Sequence, residues 1–131
     1  MTRRRKIDPL LAPALSTLLA GAGVLHLVRP QVFTPLIPPQ LTDLASRRDW
    51  VIGSGVAEIG CAAALAVPQT RRIGGYATAA LMVAVFPGNV QMAADFHTRR
   101  RPAWQRAIAW GRLPLQAPLV WASLRVAALH R

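Results

Sequence analysis

The sequence predicts an all-α chain folded as a transmembrane four-helix bundle, with one domain over residues 1–131. Three observations carry that reading. Long apolar tracts alternate with basic clusters, Arg3-Arg4-Arg5-Lys6, Arg47-Arg48, Arg71-Arg72 and Arg99-Arg100-Arg101. The chain is 53% hydrophobic despite a net charge of +11. Four tracts, residues 10–28, 50–67, 73–94 and 110–129, approach the length of about 20 apolar residues that crosses about 30 Å of hydrocarbon.

The first tract, Leu10 to Val28, follows a basic start. The same order describes a secretion signal with Ala20-Gly21-Ala22 as its cleavage site. Its spanning length and the three tracts behind it favour a helix that stays. In the connection that follows, Pro30, Pro35, Pro38 and Pro39 forbid a long helix, while Val32, Phe33, Leu36, Ile37, Leu41 and Leu44 remain apolar. A broken, Pro-rich amphipathic segment is expected, lying in the interface or folded over the bundle end.

Ser46-Arg47-Arg48-Asp49 resembles a capping box, with aspartate in place of glutamate, ahead of the second tract at Trp50. Only Pro68-Gln69-Thr70-Arg71-Arg72 joins the second tract to the third, which makes them antiparallel neighbours. In the third, GYATAALMVA (Gly75 to Ala84) has no charged residue on any face, unlike a helix of a soluble bundle. Trp50, Trp104 and Trp110 fall at span ends, where indole rings favour the interface.

Charge does not settle the orientation. One side of the membrane would hold Arg3, Arg4, Arg5, Lys6, Arg71, Arg72, Arg125 and Arg131. The other would hold Arg29, Arg47, Arg48, Arg99, Arg100, Arg101, Arg106 and Arg112, which is eight against eight. The N-terminus is assigned inside because the first span often dominates.

Several function classes are excluded by composition. Arginines that punctuate apolar tracts, with no basic groove-facing helix, do not describe a nucleic-acid binder. Cys61 is the single cysteine, so there is no internal disulfide or C-x-x-C relay, and it reads as a small packing residue. His26, His97 and His130 show no ligand spacing, and no metal site is expected.

The chain has only five acidic residues, yet one of them, Glu58, sits inside the apolar run SGVAEIGCAAALAV. A charge near the centre of a span costs at least about 2.5 kcal/mol on insertion scales, so such groups face the bundle interior. Counted along the spans, Glu58, His26, Asn89, Arg112 and Gln116 all fall in the half of the membrane nearer the 29–49 and 95–109 connections. The opposite half is expected to be nearly bare. Small neighbours Ser54, Gly55, Cys61 and Ala62 aim Glu58 at a partner helix. Pro87, Pro114 and Pro118 weaken the helices around Asn89 and Gln116, as expected of a wet pocket. Phe33 and Ile37 are the expected lid. The bland alternative is structural: Glu58 pairs with Arg112, and Asn89 and Gln116 join helices by hydrogen bonds.

The segments GVLHLVRPQVFTPLIPPQL, SGVAEIGCAAALAVPQTRRIGGYATAALMVAVFPGNVQMA and RLPLQAPLVWASLRV resemble the DoxX family of small four-span bacterial membrane proteins. The resemblance runs from about Gly21 to Arg125. Its strongest parts are His26 with Pro30, the surroundings of Glu58, Phe86 to Asn89, and Arg112 to Gln116. It implies a membrane bundle, and by association with a quinone-coupled sulfur-oxidising complex it implies a quinone as cofactor and a redox protein as partner. Cysteine pairs used in related bundles for thiol chemistry are missing here.

The expected function is a binding or accessory protein of the cell membrane, multi-pass, with a pocket around Glu58 for a quinone-like or lipid-like molecule. Its partners would be the bilayer, a redox protein or a second copy in a homodimer, with no nucleic acid. The alternative is a small proton-coupled exporter using Glu58, although exporters of this size carry the membrane acid in the first span. An isomerase or oxidoreductase would use Glu58 and His26 as acid and base, but no motif fixes a substrate, and a non-catalytic role is expected.

Overall fold

The computed structural model describes residues 3–37 and 39–130, without the side chains of residues 3–6 and Leu36. Pro38, Arg131 and the side chains of Arg3, Arg4, Arg5 and Lys6, all used in reading the sequence, lie outside the described residues. The apolar tracts wind into four long helices, α1 (Arg3–Val28), α2 (Arg47–Ala66), α3 (Arg71–Thr98) and α4 (Ala103–Leu129). No strand occurs among the described residues.

Local chemistry explains where the helices stop and start. In the Pro-rich connection, the proline rings permit only short 3₁₀ turns, at Pro30–Val32, Thr34–Leu36 and Pro39–Asp43. The Ser46 hydroxyl then accepts the Asp49 N–H at 3.1 Å and caps α2. Trp50, expected as an interface anchor, donates its indole N–H to the Leu41 carbonyl at 2.8 Å and ties the connection to α2. At the other end Pro68 stops α2. The Thr70 hydroxyl donates to Ala64 O at 2.7 Å, and Arg71 donates to Leu65 O at 2.8 Å and Ala66 O at 3.2 Å. Those bonds satisfy carbonyls that the end of a helix leaves open.

Two expectations need correction. The 95–109 stretch, read as a connection, is helical except for residues 99–102. The breaks expected at Pro87, Pro114 and Pro118 are not there, and α3 and α4 run through them. A proline removes one donor from the ladder, but the turns on either side keep theirs, and neighbouring helices support the frame.

The helices pack as two close pairs, α1 along α2 and α3 along α4, and the pairs meet through α2 with α3 and, less closely, α1 with α4. Glycines set the closeness. A Cβ on Gly23 would lie 2.9 Å from Gly55 O, and one on Gly75 would lie 2.6 Å from Ser123 O. Between the helices Leu15, Leu19, Cys61, Leu65, Met82 and Val126 form the core, with Cys61 in the packing role its sequence context suggests. Ser16 Oγ donates across the α1–α2 contact to Ala62 O at 2.8 Å.

The half of the bundle expected to be bare is not. Arg125 of α4 makes a two-pronged contact with Asp8 of α1, 3.1 Å and 2.8 Å long. The partners lie 117 residues apart in the chain, so counting along single helices could not pair them.

The outside of the molecule is apolar. Leu10 is 63% exposed, Ile73 69% and Val83 60%, whereas Glu58, Thr78, Asn89 and Ser123 are buried. Among the described residues, three stretches are long and apolar enough to cross a membrane: Ile7–Val28, Arg47–Ala66 and Pro68–Thr98. Helix α4, interrupted by Arg106, Arg112 and Arg125, is not among them.

Candidate functional site

Helix α2 turns one stripe inward, and its buried members are Val51, Gly55, Glu58, Cys61, Ala62 and Leu65. Their spacing of three and four residues is that of a single helix face, so burying the stripe carries Glu58 in with it. Glu58 is only 9% exposed. One turn before it, Gly55 has no side chain, and a Cβ there would stand 2.8 Å from His26 Cβ. The resulting close approach of α1 brings His26 Nδ1 to 3.3 Å from Glu58 Oε2.

The two groups lie in contact without sharing a hydrogen bond. His26 Nδ1 also lies 2.6 Å from Ala22 O. A carbonyl can only accept, so the Nδ1 proton goes to Ala22, and Glu58 Oε2 is left with no hydrogen-bond partner. Arg112 of α4 stands close enough for its charge to act on Glu58. Among the described residues no ion pair joins the two. The expected Glu58–Arg112 pair is thus an attraction across a gap, with His26 the nearer neighbour.

On its far side the His26 ring stacks on Phe33, with centroids 3.7 Å apart and planes 10° apart. Phe33 in turn forms part of the wall of a cavity of about 330 Å³. Val32 and Pro35 of the connection, Met92 and Phe96 of α3, and Trp104, Ile108 and Arg112 of α4 complete most of that wall, with Arg101 at the α3–α4 turn. Gln91 Nε2 donates to Gln40 Oε1 at 3.2 Å and holds the connection against α3.

The residues singled out in the sequence fall into four groups. His26 and Glu58 touch each other, and Arg112 and Phe33 line the cavity beside them. Asn89 is buried at 5% exposure, one turn from Met92, and its Nδ2 has no partner. Gln116 lines a different groove, of about 550 Å³, with Met82, Phe86, Val120 and Trp121, and its Oε1 is also unpartnered. Ile37 is half-buried but is not among the residues around the cavity. No group of three metal-ligating side chains occurs among the described residues.

Arg101, Trp104, Gln105 and Ile108 line the cavity, although the sequence pattern places none of them at the site and marks only Trp104, as an interface anchor, and Arg101, in a basic cluster. The usable signal was the spacing Trp104, Ile108, Arg112, which is helical and extends α4 back towards Pro102.

The turn that delivers Arg101 is strained. Arg100 has φ 49°, in the left-handed region. Its N–H bonds to His97 O at 3.3 Å, and that of Arg101 bonds to Phe96 O at 3.0 Å. Those two bonds make a Schellman ending, which glycine ordinarily occupies. The Arg101 guanidinium then lies 5.4 Å over the Phe96 ring, within range of a cation–π contact. Arg100→Gly relieves a cost of about 1 kcal/mol. Its thermal unfolding midpoint in detergent is expected to rise, and a fall would show that the Arg100 side chain itself holds the turn.

No curated protein and no solved structure matches the chain. A family model does match, over residues 15–127, a stretch that takes in His26, Glu58, Arg112 and all the cavity residues named above. The chain belongs to that family, described as a domain of unknown function (DUF8561).

Proposed function

We propose that the protein is a multi-pass membrane protein, a four-span bundle that binds one amphipathic molecule in the cavity between the Pro-rich connection, α3 and α4. The observation that carries the reading is the cavity itself. Its walls are mostly aromatic and aliphatic, with Arg101, Gln105 and Arg112 as the polar members, a mix found in small-molecule sites generally, and its size of about 330 Å³ suits part of such a molecule. The apolar exterior supports the membrane setting, since large aliphatic side chains outside and polar ones inside fit a lipid solvent.

A lipid-like or quinone-like occupant fits both the sequence's resemblance to the DoxX family and the cavity walls. In that role the protein acts as a binding or accessory subunit. His26 lies behind Phe33 with Glu58 beside it, and no covalent chemistry is required of either. Purification from membranes in mild detergent, followed by native mass spectrometry, tests the proposal. One small amphiphile per chain is expected, and Ile108→Trp, which fills the cavity, is expected to lose it. A bound molecule that survives Ile108→Trp, or none in the wild-type protein, would overturn the reading.

A further inference from the structure

We infer that the occupant of this cavity carries an anionic headgroup, a phosphate or a carboxylate, held between Arg101 and Arg112. The inference rests on the reading that the cavity binds an amphiphile, and it names which class.

Arg101 and Arg112 both line the cavity, and among the described residues around it none is acidic. Among the described residues, neither is within ion-pair distance of a carboxylate. Glu58 acts on Arg112 only across a gap, so the pair of arginines keeps an excess of positive charge. Arginine presents a planar fork of donors that matches phosphate and carboxylate oxygens two at a time. The start of α4 adds to the same potential. No side chain caps it and its first turn has no acidic residue, so its positive end is left uncompensated.

The backbone gives a second, independent observation. Arg100 holds a left-handed conformation that its side chain disfavours, and the following residue is Arg101 at the cavity wall. Strain of this kind collects where a site must be held in place. Here it sets a cation over Phe96, and both residues line the cavity.

A neutral quinone would leave both arginines without a counter-charge, in surroundings where an unpaired charge is costly. A zwitterionic headgroup would bring a further cation next to them. An anionic head with an acyl chain satisfies the arginines and the aliphatic wall together.

The test uses the whole chain in detergent micelles and native mass spectrometry with four probes: phosphatidylglycerol, phosphatidylcholine with the same acyl chains, oleate and decylubiquinone. At least one of the two anionic probes is expected to bind about tenfold more tightly than phosphatidylcholine or the quinone, as two charge-assisted contacts warrant. Preference for phosphatidylglycerol identifies a phosphate head, and preference for oleate a carboxylate head. Arg101→Gln, at a half-buried position in the turn between α3 and α4, is expected to bring the ratio close to one with the unfolding midpoint in detergent kept, and Arg112→Gln to do the same. Arg99→Gln removes an equal charge from the nearby surface and is expected to keep the preference.

Equal binding of anionic and neutral probes overturns the anionic class. So does a preference that survives Arg101→Gln, or one that is lost equally in Arg99→Gln. If a neutral probe binds as tightly as the anionic ones and Ile108→Trp expels it, the cavity reading stands while this inference falls. If Ile108→Trp expels nothing, both fall.

Discussion

Gly75→Leu is expected to separate α3 from α4 and lower stability by about 3 kcal/mol, at the upper end of overpacking costs. A Cβ on Gly75 would meet Ser123 O at 2.6 Å and Ala127 N at 2.8 Å. Both are backbone atoms, so neither can swing aside, and the whole helix must move. Gly53 is the matched control, because a Cβ there has nothing within 4 Å. Gly53→Leu should be neutral or mildly stabilising, since leucine favours the helix more than glycine does. Thermal unfolding in one detergent compares the two directly. Equal midpoints would mean that the α3–α4 contact is looser than the backbone spacing requires.

Glu58→Lys is expected to be the second severe change, costing about 3–5 kcal/mol as breaking a buried charge pair does. It replaces the negative charge beside His26 and near Arg112 with a positive one. Glu58→Gln, of nearly the same shape and neutral, should cost much less. The double change Glu58→Lys with Arg112→Glu restores one positive and one negative group across the same gap. It should recover at least about 1 kcal/mol of the loss, a coupling typical of interacting sites. Strict additivity in unfolding midpoints would remove Arg112 from the electrostatic surroundings of Glu58.

Much of this arrangement is legible in the sequence because apolar tract length and turn chemistry are local. The four helices, the proline-broken connection and the Ser46 cap each follow from residues a few positions apart. The site is legible only in depth. Counting at about 1.5 Å per residue places His26, Glu58, Asn89, Arg112 and Gln116 at similar levels, but it does not say which neighbour each one faces.

Gln116 shows the difference. It follows Arg112 by one turn, yet four residues rotate the helix by roughly 40° beyond a full circle and rise about 6 Å. That is enough for Arg112 to line one cavity and Gln116 another. The beginning of α4 was hidden for another reason. Arg101 and Arg106 break the apolar average there, while the spacing of Trp104 and Ile108 continues. Average hydropathy marks where a helix is greasy, and spacing marks where it is a helix.

The inward hydroxyls of α3 and α4 turn back on their own helices. Thr78 donates to Gly74 O at 2.7 Å and Ser123 to Leu119 O at 2.7 Å. Asn89 Nδ2 and Gln116 Oε1, the groups best suited to bridge helices, have no partner. Among the described residues the contact between α3 and α4 is therefore set by volume, with no side-chain hydrogen bond between the two helices to state how far one can slide past the other. Its ruler is the hollow at Gly75, faced by Ser123 and Ala127 one turn apart on α4. Such a ruler has coarse marks, one helical turn or about 5.4 Å apart. The chain should therefore tolerate a small apolar residue in place of Thr78 or Ser123, while a side chain added at Gly75 moves the pair to the next mark or apart.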